Sequence, residues 1–128
     1  ISKPDMPVSK LGLYGPEIVK MYNDDYAASP AVLSRLDSLT CGYVSGKVSA
    51  KDFQAAAECA HFGGHTTGDY MVFLIRDQLG LQAAIDCFCD MPAFVRRYNE
   101  AAVKAGTYVF SDTFVQYIDN ICKEMEGV

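Results

Sequence analysis

Apolar residues recur every three or four positions along most of the 128-residue chain, and residues that start or stop helices bracket nearly every such stretch. Residues 1–14, with Pro4, Pro7 and Gly12, read as an irregular arm. Gly15-Pro16-Glu17 opens a first helix, since proline suits the first helical position and an early glutamate complements the dipole; Ile18, Val19, Tyr22 and Tyr26 form its stripe. Ser29-Pro30 predicts the start of a second helix, carrying Val32, Leu33, Leu36 and Leu39 and fading between Gly42 and Gly46.

Ser49-Ala50-Lys51-Asp52 has the layout of a capping box and leads a helix with a small-residue face of Ala56, Ala57 and Ala60 beside Phe53. Thr66-x-x-Asp69 repeats the device for a strongly apolar helix over 67–79, which Gly80 stops. A short helix over 81–89 follows. Asp90-Met91-Pro92 then opens a helix that ends at Gly106, and Ser111 caps a last one with Phe114, Val115, Ile118, Ile121, Cys122 and Met125 on one face. Thr107–Phe110 is rich in β-formers but has no partner run, so it reads as a linker. The pattern predicts an all-α fold: a single compact domain of about six helices over residues 15–128.

Composition narrows the function. Half the residues are apolar and about a fifth are charged, as in a globular domain. A net charge of −5, with Arg96-Arg97 the sole adjacent basic pair, argues against nucleic acid as a partner. The longest unbroken apolar run, Tyr70 to Ile75, is too short to span a membrane. Cys41, Cys59, Cys87, Cys89 and Cys122 have no disulfide-framework or zinc-ribbon spacing; they read as free, buried thiols of a reducing compartment, the cytoplasm. Ile1 is not a start methionine, so the chain is expected to be a piece of a longer protein.

The motif richest in chemistry is "HFGGH", residues 61–65. Histidines four apart on a helix can share a metal, and H-E-x-x-H is the zinc-peptidase form with glutamate as base. Here Phe62 stands in the glutamate position, and Gly63-Gly64 would cost a continuous helix about 1 kcal/mol each. His61 and His65 are therefore expected on either side of a helix end and a turn. A set of Cys59, His61 and His65 with Cys87 or Cys89 has the right chemistry for tetrahedral zinc but no established spacing, so neither a metal ligand nor a cofactor is assigned. Asp24-Asp25 and the Asp86/Asp90 pair read as solvated or capping carboxylates.

From Gly64 the chain reads "GHTTGDYMVFLIRDQLGLQAAIDCFCDMPAFVRRYNEAA". The ordered set Gly68, Met71, Ile75, Gly80, Ala84, Ile85, Pro92, Phe94, Tyr98, Asn99 and Ala101 resembles the C-terminal helical lobe of zinc-dependent peptidases of the H-E-x-x-H gluzincin type, over residues 64–102. In that family a glycine-bearing helix start follows the metal-binding helices, and a P-x-F-x-x-x-Y-N-x-A helix closes the lobe. This chain contains no H-E-x-x-H, and no metal ligand carries over. Relatives place an aromatic hydroxyl three residues before the matching glycine. His65 stands there, so the resemblance makes it a candidate catalytic residue facing the cleft, able to hydrogen-bond a developing oxyanion.

The implied role is a helical lobe, inactive alone, that packs against a catalytic lobe and forms one wall of a substrate cleft. Its partner would be a missing upstream domain or another protein. The rival is a self-contained helical interaction module without chemistry. A lobe cut from its partner leaves an apolar patch exposed, whereas a self-contained module has polar outer faces. The helix over 67–79, apolar around most of its circumference, favours the lobe.

Overall fold

Burial of one face of each helix drives the assembly, and the central element is the helix with most to bury. The computed structural model describes residues 8–57 and 65–126, with side chains described over 15–56 and 65–126. The described residues contain six helices and no strand: α1 (Val8–Val44), α2 (Ala50–Ala57), α3 (His65–Leu79), α4 (Leu81–Asp86), α5 (Met91–Ala105) and α6 (Asp112–Glu126). α3 packs against α1, α4 and α5; α6 closes against α5 and α1, and α2 lies on α1. No helix among the described residues is long and apolar enough to cross a membrane.

The expected arm over 1–14 is helical from Val8, and the break falls at Gly15, whose φ of 72° lies in the left-handed region that glycine enters without penalty. The helix start expected at Ser29-Pro30 does not occur, because α1 runs through both. Proline inside a helix costs about 3 kcal/mol. Against that stands an unbroken buried stripe spanning the proline: Tyr26 is 5% exposed, Ser29 fully buried and Leu33 2% exposed. The Ser29 hydroxyl donates to the Asp25 carbonyl within the helix (3.1 Å) instead of capping a new one. Thr66 likewise lies inside α3 rather than capping it, and Asp69 accepts a hydrogen bond from Tyr22 Oη (2.9 Å).

The other boundary signals work as their chemistry predicts. Gly46, at φ 81°, ends α1 with paired bonds from Lys47 N to the Gly42 carbonyl (2.8 Å) and from Gly46 N to the Tyr43 carbonyl (3.1 Å). Ser49 Oγ accepts from Asp52 N (3.1 Å), Asp90 Oδ1 from Ala93 N (3.1 Å) and Ser111 Oγ from Phe114 N (3.1 Å). Gly106 closes α5 in the left-handed conformation. α4 is shorter than expected, ending at Asp86.

The core gathers Tyr70, Met71, Leu74 and Ile75 of α3 with Val95, Tyr98, Ala101 and Ala102 of α5, closed by Phe110 and Phe114. The 107–110 linker is threaded through it. Tyr98 Oη donates to the Tyr108 carbonyl (2.6 Å), and Asn99 pairs with both backbone groups of Phe110 (2.9 and 3.3 Å). The Phe110 and Phe114 rings stack at 4.1 Å.

One carboxylate holds this linker to α1. Asp37 is 2% exposed and forms no ion pair among the described residues; its oxygens accept from Ser111 N (2.7 Å), Ser111 Oγ (2.7 Å), Tyr108 Oη and Cys41 Sγ (3.4 Å). Burial pushes its carboxyl up, but the hydrogen bonds from Ser111, Tyr108 and Cys41 outweigh that and hold it below the ordinary carboxylate value.

Two outcomes are expected of denaturant titrations. Leu74→Ala, at a fully buried position, lowers stability by about 2–5 kcal/mol. Asp37→Ala lowers it by about 3 kcal/mol or more, since at least two buried donors lose their acceptor. Because the folded pKa of Asp37 is depressed, its contribution is complete above the unfolded value of about 3.9 and is lost as pH falls through the lower folded value. Wild-type midpoints in either variant, or an acid limb that Asp37→Asn leaves unchanged, would show that these groups do not hold the core.

Candidate functional site

The chemistry-bearing side chains collect where the first turn of α3 faces the turn between α4 and α5. His65 opens α3 and is exposed, its imidazole making no hydrogen bond with the described residues. It shares a cavity of about 600 Å³ with Asp69, Cys87, Cys89 and Asp90, while Phe88 and Met91 supply apolar walls. The turn is tight: Phe88 N bonds the Ile85 carbonyl (3.1 Å) and Asp90 N the Cys87 carbonyl (3.2 Å). Cys89 adopts φ 68°, a conformation uncommon for a residue with a Cβ.

Most of these groups already serve the fold. Asp69 accepts from Tyr22 Oη, and burial followed by this bond pushes the tyrosine up to about 12, so it stays a donor. The Asp90 carboxylate caps α5. Cys87 is 2% exposed, its Sγ pointing to the Ala84 carbonyl (3.4 Å); burial pushes the thiol up, which keeps it protonated and a poor nucleophile. Cys89, by contrast, is exposed, and Cys41 and Cys122 are half-buried, so burial is not uniform among the cysteines. Of the chemistry-bearing groups in this cavity His65, Cys89 and Asp90 are exposed, and of these Asp90 is already used as a cap.

The structure thus brings His65 into one cavity with Cys87 and Cys89, two of the residues considered with it as zinc donors. It does not bring three donors to a point: no group of three His, Cys, Asp or Glu among the described residues could hold a metal. Cys59 and His61 lie outside the described residues. His65 as the first residue of α3 matches a helix beginning just after the glycine pair.

Sequence reasoning missed a second cavity, of about 480 Å³, lined by residues of α1, α2, α3, α5 and α6 and by Phe110. Gly68, Met91 and Phe94 line both cavities, so the two adjoin across the first turns of α3 and α5. It also missed Asp37. The available signal was an acidic residue four positions after Leu33, on the apolar face of α1.

Comparison with known proteins adds a family. The model of the family described as "Putative zinc dependent peptidase (DUF5700)" matches residues 3–107, which contain the 64–102 stretch and extend well upstream of it. No curated protein and no solved structure matches the chain. The described residues do not fit the zinc that the family description implies, since they offer no convergent donor set. The sequence has no H-E-x-x-H.

Elemental analysis of the purified 128-residue chain is accordingly expected to find far less than one zinc per molecule. Stoichiometric zinc that disappears on substitution of Cys59, His61, His65 or Cys89 would establish a metal site that these donors build together.

Proposed function

The chain belongs to that zinc-dependent peptidase family, and from this premise we propose that it is a helical lobe that docks against a catalytic lobe and forms one wall of the substrate cleft. The observation that carries the reading is the outer face of α4. No residue of this helix is buried. Leu81 and Ile85, one turn apart on α4, are 62% and 55% exposed, and Phe88 in the turn that follows and Met91 at the start of α5 are 78% and 53% exposed. Large apolar side chains exposed this close together along the chain cost free energy in water and mark a surface made to be covered.

The location of the patch supports the docking direction. Phe88 and Met91 also line the cavity that holds His65, so a partner seated on α4 would roof that cavity and make it a cleft between two bodies. In such a cleft His65 is the residue of this lobe available to donate a hydrogen bond to charge developing on a substrate carbonyl. The base and metal ligands of hydrolysis would come from the other lobe, and the isolated chain is expected to be inactive. If the same face meets an unrelated protein instead, the chain is an interaction module.

Reading the coding sequence upstream of the Ile1 codon tests the first half of the proposal, which requires an H-E-x-x-H segment there. Co-expression tests the second. The upstream segment should co-purify with the wild-type chain, and Phe88→Asp or Ile85→Glu should weaken the pair by about tenfold or more, as expected for a central apolar anchor. An upstream segment without the motif, or one that binds both variants as well as wild type, sinks the lobe reading.

A further inference from the structure

The cavity of about 480 Å³ lined by α1, α2, α3, α5, α6 and Phe110 of the linker is partly open to solvent and falls within the size range of small-molecule sites. Its walls include Leu36, Met71, Phe94 and Phe114; methionine side chains such as Met71 adapt to an irregular apolar guest. Among the described lining residues, Arg35 and Thr67 alone carry polar side chains, and Arg35 alone is charged. Arg35 is exposed, and its guanidinium forms no ion pair within the described residues.

We propose that this cavity binds a single-chain aliphatic oxyanion, its hydrocarbon tail among the apolar walls and its head group on the Arg35 guanidinium. Three features carry the assignment. An apolar cavity favours a guest without polar atoms along its length, which excludes a polypeptide: every residue would bring an amide donor and acceptor that these walls cannot satisfy. The one unpaired fork of N–H donors suits a carboxylate or phosphate oxyanion. The chain as a whole carries −5, so anions are repelled generally and would be held only where a local cation and a burial site coincide.

Gly68 supplies a way to test occupancy without disturbing the core. It lies inside α3 and lines the cavity, and a Cβ built there meets no atom within 4 Å. A side chain at this position leaves the backbone through open space, and removing a helix-interior glycine favours the helix.

Isothermal titration of the 128-residue chain with decanoate, decyl phosphate and decanol, each below its micellar concentration, decides the matter. Wild type should bind one oxyanion per chain, and comparison of the two anions shows which head group fits. Arg35→Gln should weaken both anions by about tenfold or more and leave decanol unchanged, as loss of a charge-assisted hydrogen bond requires. Gly68→Leu should weaken all three, while Lys104→Gln, another exposed cation lost, should change none. Circular dichroism establishes that each variant folds, and Arg35→Lys, which retains charge without the fork, should fall between wild type and Arg35→Gln. The proposal is overturned by absence of saturable anion binding, by equal anion affinity in Arg35→Gln, or by binding of several ligands per chain that Gly68→Leu does not alter.

Discussion

A carboxylate taken out of water without a cation must be held by donors, and the position of Asp37 makes that requirement the organising constraint of this domain. Its two oxygens face the 107–111 segment, and they are satisfied only when Tyr108 and Ser111 are brought to α1. Once there, Ser111 is also the cap of α6, so one side chain joins the ionic demand of α1 to the start of the last helix. Phe110, between the two, is thereby set against Tyr98 and Phe114 in the core. The linker has no regular secondary structure of its own, yet side chains of α1, α3 and α5 bond to it. Its backbone groups are met by side chains of α5, as those of a buried irregular segment must be.

This arrangement explains why local chemistry in the sequence located most helices and misplaced two starts. Where a cap residue stands at a real end, as at Ser49, Asp90 and Ser111, the side-chain-to-backbone bond is a local event, and sequence suffices to see it. Ser29-Pro30 and Thr66 carry the same local signal, but there the burial of neighbouring residues decides. The α1 stripe from Tyr26 to Leu33 stays in contact with α3 only if the helix continues, and Thr66 is itself 1% exposed inside α3. Local preference of one or a few kcal/mol yields to packing of that extent.

The site was legible to a lesser degree. His65 could be singled out because its type and spacing have chemical meaning, and the family resemblance gave it a side of the fold. What stands around it could not be read, since a cavity is made by residues distant in sequence. Gly68 looked like a helix-start residue; only the packing of α1, α5 and α6 around it shows that it separates two cavities. Cys89 carries no signal in sequence of its positive φ, which follows from the tight turn between α4 and α5.

The length of α1 has a consequence of a different kind. The stretch from 16 to 44 extends for about 43 Å, beyond the roughly 30 Å expected across a small domain. Its packed residues begin at Tyr22, and Ile18 and Met21 before them stand 37% and 43% exposed. One continuous helix therefore carries two separate attachments, Tyr22 to Asp69 of α3 and Asp37 to Ser111 of the linker, and it sets the distance at which α3 and the linker are held from one another along its length.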